Sequence, residues 1–249
     1  MRKLMMMMAL AFCVNGYAVE LNDSVPSIPQ DDDVAVSKGN ENLLSYGKED
    51  ADGWKTHSFS MHLAAGFTSP TNVPSGMSFA PFRSWEFQWT VFQYDLRPKN
   101  SWQTYSVGVG LNWRNYVLST DKMFAKVADE VVLTDWDPKW SSKRSNIHVL
   151  SISVPFLFNQ KFDRKGHFRF SLGPVVNFNV SANLNNSWEE GDNEMEVQTK
   201  HIGQRPVTVD FMGIFHVYGV GLYFKYSPNN VLRSGRGPQF RSLSFGLYL

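Results

Sequence analysis

Glu86, Arg114, Arg169, Asp210 and Lys225 are charged residues set into stretches that are otherwise small, polar or apolar. Arg114 follows Ser106, Gly108, Gly110 and Asn112 at every second position, and Arg169 leads into Ser171 and Gly173 in the same way. A period of two is that of one face of a β-strand. An unpaired buried charge is costly, so opposite charges on inward faces of neighbouring strands should pair. The chemistry expected of these residues is a polar network filling the lumen of a ring of strands. A narrow ion or proton path is the sharper alternative.

Other groups with chemical potential are weaker candidates. The histidines are His57, His62, His148, His167, His201 and His216; none are spaced four apart as in a helical zinc site, and no metal site is expected. A lipid-acting enzyme would need a nucleophile beside a base, and His148 near Ser142 or Ser145 is the nearest approach. There is no Gly-x-Ser-x-Gly elbow and no acid tied to His148, so the chain is read as a non-enzyme without a cofactor. Trp136 and Trp140 lie in a long connection and are candidate surface contacts, or pack on the rim. Glu189, Glu190, Asp192, Glu194 and Glu196 do not have the spacing of a calcium loop.

The elements that must position these groups alternate throughout. Tyr105, Val107, Val109, Leu111 and Trp113 oppose the small polar row that ends in Arg114. Phe168, Phe170 and Leu172 oppose Arg169 and Ser171, and Leu243, Phe245, Leu247 and Leu249 oppose Ser242, Ser244 and Gly246. Large apolar residues outside and small polar residues inside describe a transmembrane β-barrel. Eight strands are predicted, at about 57–67, 83–97, 102–117, 146–159, 167–181, 206–215, 219–227 and 239–249. A blurred parity at Phe92 and Tyr94 suggests a bulge. The connections alternate between short (98–101, 160–166, 216–218) and long (68–82, 118–145, 182–205, 228–238). That alternation fits short periplasmic turns and longer outer loops, with both termini periplasmic.

The N-terminus agrees. Arg2 and Lys3 precede an apolar run from Leu4 to Val14 and the small-residue stretch Gly16-Tyr17-Ala18, so 1–18 reads as a secretory signal cleaved after Ala18. Residues 19–54, with Asp31-Asp32-Asp33, Pro26 and Pro29, read as a disordered periplasmic tail, and 55–249 as the barrel. The single cysteine, Cys13, falls inside the signal, which excludes a disulfide framework. A net charge of +1 gives a nucleic-acid partner no support. The aromatic content of 14% suits a membrane boundary, which Trp and Tyr favour.

Certain stretches also carry a family likeness. They are the signal, Ser-Ile-Ser-Val-Pro-Phe-Leu-Phe at 151–158 and Phe-Ser-Leu-Gly-Pro-Val-Val at 170–176. Val-Asp-Phe-Met-Gly at 209–213 and the terminal Ser-Leu-Ser-Phe-Gly-Leu-Tyr-Leu complete the set. Over about 55–249 the chain resembles the small outer-membrane β-barrel domain proteins of Gram-negative bacteria, the PorT-like group. It departs from the commonest pattern by ending on Leu249 rather than an aromatic residue. The resemblance implies outer-membrane lipid and the barrel-insertion machinery as partners. Some members resemble factors that assist surface-protein export, which implies an unknown surface or export partner. The expected protein is an all-β, eight-stranded antiparallel up-and-down transmembrane barrel in the outer membrane, with a side-chain-filled lumen, no open pore and a structural or surface-interaction role. The alternatives are a secreted soluble barrel holding an apolar ligand and a lipid-acting barrel enzyme.

Overall fold

Period-two alternation becomes strand almost wherever it occurs. A computed structural model describes residues 56–99, 101–119, 121–163, 167–191 and 193–249; the expected signal and tail, 1–18 and 19–54, lie outside the described residues. Its strands are β1 (His57–Thr71), β2 (Trp85–Leu96), β3 (Gln103–Val117), β4 (Lys122–Val127), β5 (Glu130–Asp135) and β6 (Ser141–Lys161). They continue with β7 (Phe168–Glu190), β8 (Asn193–Lys200), β9 (Val207–Val217), β10 (Val220–Ser227) and β11 (Arg241–Tyr248). There is no helix among the described residues.

β1, β2, β3, β6, β7, β9, β10 and β11 form one antiparallel ring, closed where β1 meets β11 and where β6 meets β7. Closure pairs every ring strand on both sides and leaves no edge within the ring. At the first–last seam Gly66 stands opposite Gly246, and a Cβ on either would run into the partner's backbone. Glycine is what lets those two strands come together there.

Two long connections are more ordered than the sequence reading expects. The segment 118–145 contains the β4–β5 hairpin and the start of β6; the segment 182–205 contains the end of β7 and all of β8, which pairs with β7 outside the ring. The ladder between β6 and β7 extends from Ser141 opposite Glu189 down to Lys161 opposite Arg169. Each strand's extension is held by its partner, a long-range condition that local composition does not display.

Bulges set the faces. β2 carries an extra residue at Val91 relative to both β1 and β3. β7 carries one at Val180 relative to β6. An extra residue reverses which parity points inward. Glu86, Gln88 and Thr90 are buried before the first bulge, and Gln93 is buried after it. Val175 and Asn177 are buried before the second bulge, and Ala182 and Leu184 after it.

Burial is inverted over the lower part of the ring. Ser60, Thr90, Ser106, Asn112, Ser153, Ser171, Asn177 and Ser244 are buried, while Val107, Val109, Phe156, Leu172, Phe211, Phe224, Phe245 and Leu247 are exposed. Higher up, the sides change over. Ile147, Val149, Ala182 and Leu184 are buried, and their strand neighbours His148, Asn183 and Asn185 lie on the outer side.

Candidate functional site in the lumen

The interior is built as layers, described here from the short-turn end upward. The first is polar. Asp95 accepts hydrogen bonds from Ser60 Oγ (3.2 Å), Gln93 Nε2 (2.9 Å) and Ser106 Oγ. Asn159 Nδ2 donates to Ser106 Oγ at 2.6 Å. His62 Nε2 lies 3.0 Å from Ser60 Oγ, and the His62 and His216 rings flank Tyr248. Although serine, histidine and aspartate meet here, Asp95 bonds the hydroxyl rather than the imidazole. That order does not activate a nucleophile.

The second layer is apolar: Ala64, Leu157, Val175, Met212, Ile214 and Tyr223 pack together inside the ring, with Tyr248 below them.

The third layer holds the charges. Glu86 and Asp210 are 1% and 0% exposed. Arg114 donates through Nε to Glu86 Oε1 (2.9 Å) and through Nη2 to Asp210 Oδ2. Lys225 Nζ pairs with Glu86 Oε1 and donates to Gln88 Oε1 at 2.9 Å. Asn112 Nδ2 donates to Glu86 (2.8 Å), and Asn177 Nδ2 donates to Asp210 (2.8 Å). Two cations therefore meet two anions from four strands, β2, β3, β9 and β10, and the layer is neutral as a whole. A small cavity of ≈ 10 Å³ lies against Arg114 between this layer and Tyr116, Val149 and Val231, room for roughly one water.

The sequence places Arg169 with these four, and the structure does not. Arg169 sits opposite His216 in the β7–β9 ladder at the short-turn end, its Nε 3.4 Å from His216 Nδ1. Shared inward parity fixes a face of the ring but not a height along it. Height follows from register, which only the paired strands define.

The fourth layer is a conventional apolar core. Tyr116, Ile147, Val149, Ala182 and Leu184 from the ring meet Met77, Phe124, Val131, Ile202, Leu232 and Phe240 from the connections. The β4–β5 hairpin is tied to the segment after β10 by Val131 N–H donating to Arg236 O (3.0 Å) and by an Arg236–Asp129 ion pair (2.8 Å). The adjacent guanidinium holds the Asp129 carboxyl below the usual carboxylate range.

Other sequence candidates resolve into packing. Trp136 and Trp140 are joined by Trp188 of β7, which stacks on Trp140 with ring centroids 4.5 Å apart; Trp136 is buried. Trp188 escaped notice because it lies beyond the Val180 bulge in a segment read as a loop. Asp95 escaped because the Val91 bulge turns it inward. His148 lies edge-on to Trp85, Ser142 Oγ donates to Glu189 (2.6 Å) and Ser145 Oγ to Asn186 (2.6 Å). No group of three metal-ligating side chains occurs among the described residues. No family model matches the chain, and no curated protein matches it significantly.

The four layers predict a lumen closed to solutes. Planar-bilayer recordings of the refolded protein are expected to show no stable, large conductance. Steady channels of porin size would contradict the packing described.

Proposed function

We propose that this chain is an outer-membrane β-barrel of PorT-like type, with a side-chain-filled lumen and a structural or surface-interaction role. The observation that carries the reading is the inverted burial of the lower ring. Val109, Phe156, Leu172, Phe224 and Leu247 stand 43–54% exposed, while Glu86, Asn112, Asp210 and Lys225 are buried. In water, that outward row is an unsatisfied apolar surface; in lipid it is solvated, and a closed ring leaves no backbone group unpaired at an edge. The change of sides near Leu150 and Ser181 supports an upper boundary to the lipid belt. A transmembrane strand needs about 9–11 residues. β6 and β7 have 21 and 23, so on this reading their upper parts stand clear of the bilayer around an ordinary core. A soluble barrel holding an apolar ligand needs its large apolar residues inside, whereas over the lower ring Val109, Phe156, Leu172, Phe224 and Leu247 face outward.

Membrane fractionation with a heat-modifiability gel tests the reading directly. The folded protein is expected in the outer-membrane fraction and to migrate differently before and after boiling. Recovery as a soluble periplasmic species would overturn it.

Topology is a separate prediction. Lys99, in the short β2–β3 turn, and Ser234, in the long connection after β10, are both exposed. A membrane-impermeant maleimide on intact cells is expected to label Ser234→Cys, and Lys99→Cys only after the outer membrane is opened. The opposite pattern would invert the orientation.

A further inference from the structure

The outer surface changes character between two neighbouring rows of the sheet. Phe87, Trp113 and Leu150 form an apolar row on β2, β3 and β6, at the height where the sides change over. The next outward row is polar: Trp85, Asn115, His148, Asn183 and Lys200 stand side by side on β2, β3, β6, β7 and β8. Arg144 lies four residues from His148 toward the upper end of β6, and Arg83 leads into β2 two residues before Trp85.

This face carries cations without counter-ions. Among the described residues, Arg83, Arg144 and Lys200 make no ion pair and no side-chain hydrogen bond. Burial, and then the neighbouring Arg83 guanidinium, hold Arg144 below the usual arginine range. Glu196 of β8 reaches His148 electrostatically, as Arg144 does. Against that one carboxylate stand Arg83, Arg144 and Lys200, so the balance is positive.

Two donors on the same face also lack acceptors. Neighbouring strands lie about 4.8 Å apart. The Trp85 and His148 rings, on the strands either side of Asn115, have centroids only 6.2 Å apart and so lean together over it; Asn115 is 0% exposed although it faces outward. Its Oδ1 accepts from Asn146 Nδ2 at 2.8 Å, but its own Nδ2 has no acceptor among the described residues. Arg144 Nε is likewise buried without one. Buried donors left unsatisfied are costly, and an oxygen-rich anion supplies what both lack.

We propose that this patch binds the phosphorylated headgroup of an outer-leaflet lipid, whose acyl chains lie on the apolar row below. The proposal rests on the membrane reading above and adds the lipid that this wall selects. Guanidinium forks match phosphate oxygens, and basic groups at the membrane boundary recognise anionic headgroups. Free phosphate offers the same oxygens but no chains for Trp113 and Leu150 to hold.

The test uses the mature protein refolded in phosphatidylcholine nanodiscs containing a minor fraction of diphosphoryl lipid A, with phosphate-free lipid A in a parallel set. Heat modifiability shows that each variant is folded, and native mass spectrometry then counts the lipid it retains. Retention of the phosphorylated form in preference to the phosphate-free form is expected. Arg83→Gln/Arg144→Gln is expected to weaken it about thirtyfold, the worth of two basic residues at a membrane surface. Asn115→Asp keeps the acceptor for Asn146 but replaces the unpartnered donor with a negative charge, and should weaken retention in the same sense. Lys99→Gln/Lys139→Gln removes two exposed cations away from this row and should leave retention unchanged. An equal loss in the lysine pair would overturn the patch as a specific site. Equal retention of both lipids by folded protein would overturn the headgroup site while leaving the membrane reading in place. Displacement of the lipid by millimolar inorganic phosphate would make free phosphate the occupant and overturn the lipid. Failure of the parent protein to enter lipid at all would overturn the site together with the membrane reading.

Discussion

Glu86→Gln is expected to destabilise the folded protein by about 3–5 kcal/mol, the range for removing one partner of a buried ion pair. Glu86 Oε1 receives Arg114, Lys225 and Asn112 together, and its carboxylate is one of only two negative charges in a layer with two positive ones. The amide keeps the volume but leaves Arg114 and Lys225 facing Asp210 alone. Urea titrations of the protein refolded in lipid vesicles would measure the cost. A paired change separates charge balance from simple damage. Glu86→Gln with Lys225→Met restores neutrality around the Arg114–Asp210 pair, so the double variant is expected to be more stable than Glu86→Gln alone. A loss of about 0.5 kcal/mol or less, the size of a typical surface change, would show that the carboxylate does not hold the layer together.

Val109→Arg is expected to cost about 2–4 kcal/mol in vesicles, whereas Val220→Arg should cost about 0–1 kcal/mol. Both valines are outward and similarly exposed, at 43% and 47%. Only depth distinguishes them. Val109 lies midway along β3, and Val220 opens β10 beside the Tyr218–Gly219 turn. On the membrane reading proposed above, an arginine reaches the headgroups from Val220, whereas from Val109 it must cross hydrocarbon. The same refolding titrations apply, and equal costs at the two sites would contradict a lipid belt. Asn112→Arg is no neutral inward control, because Asn112 is fully buried and bonded to Glu86 beside Arg114. A third cation there would meet both crowding and repulsion.

The charged layer has the character of a fastener: four strands, β2, β3, β9 and β10, are joined at one height by two ion pairs on Arg114 and one on Lys225. Buried networks of this kind penalise any register that separates their members.

Much of the ring was legible in the chain. The period of two in Tyr105–Arg114, Phe168–Asn177 and Ser242–Leu249 is a local property, since adjacent side chains must face opposite sides of a strand. It was enough to locate the eight ring strands and to separate Glu86, Arg114, Asp210 and Lys225 from the outward rows. The tertiary structure alone decided which inward groups share a height. Arg169 has the same parity logic as Arg114, yet register carries it down to His216 and leaves Asp210 and Glu86 to Arg114. The extra residues at Val91 and Val180 likewise reversed the faces of Asp95, Leu184 and Trp188, because a bulge is defined by the strand opposite and not by the residue that forms it. The lengths of β6 and β7 follow the same rule: each strand's extension has a partner only once the neighbouring strand is in place.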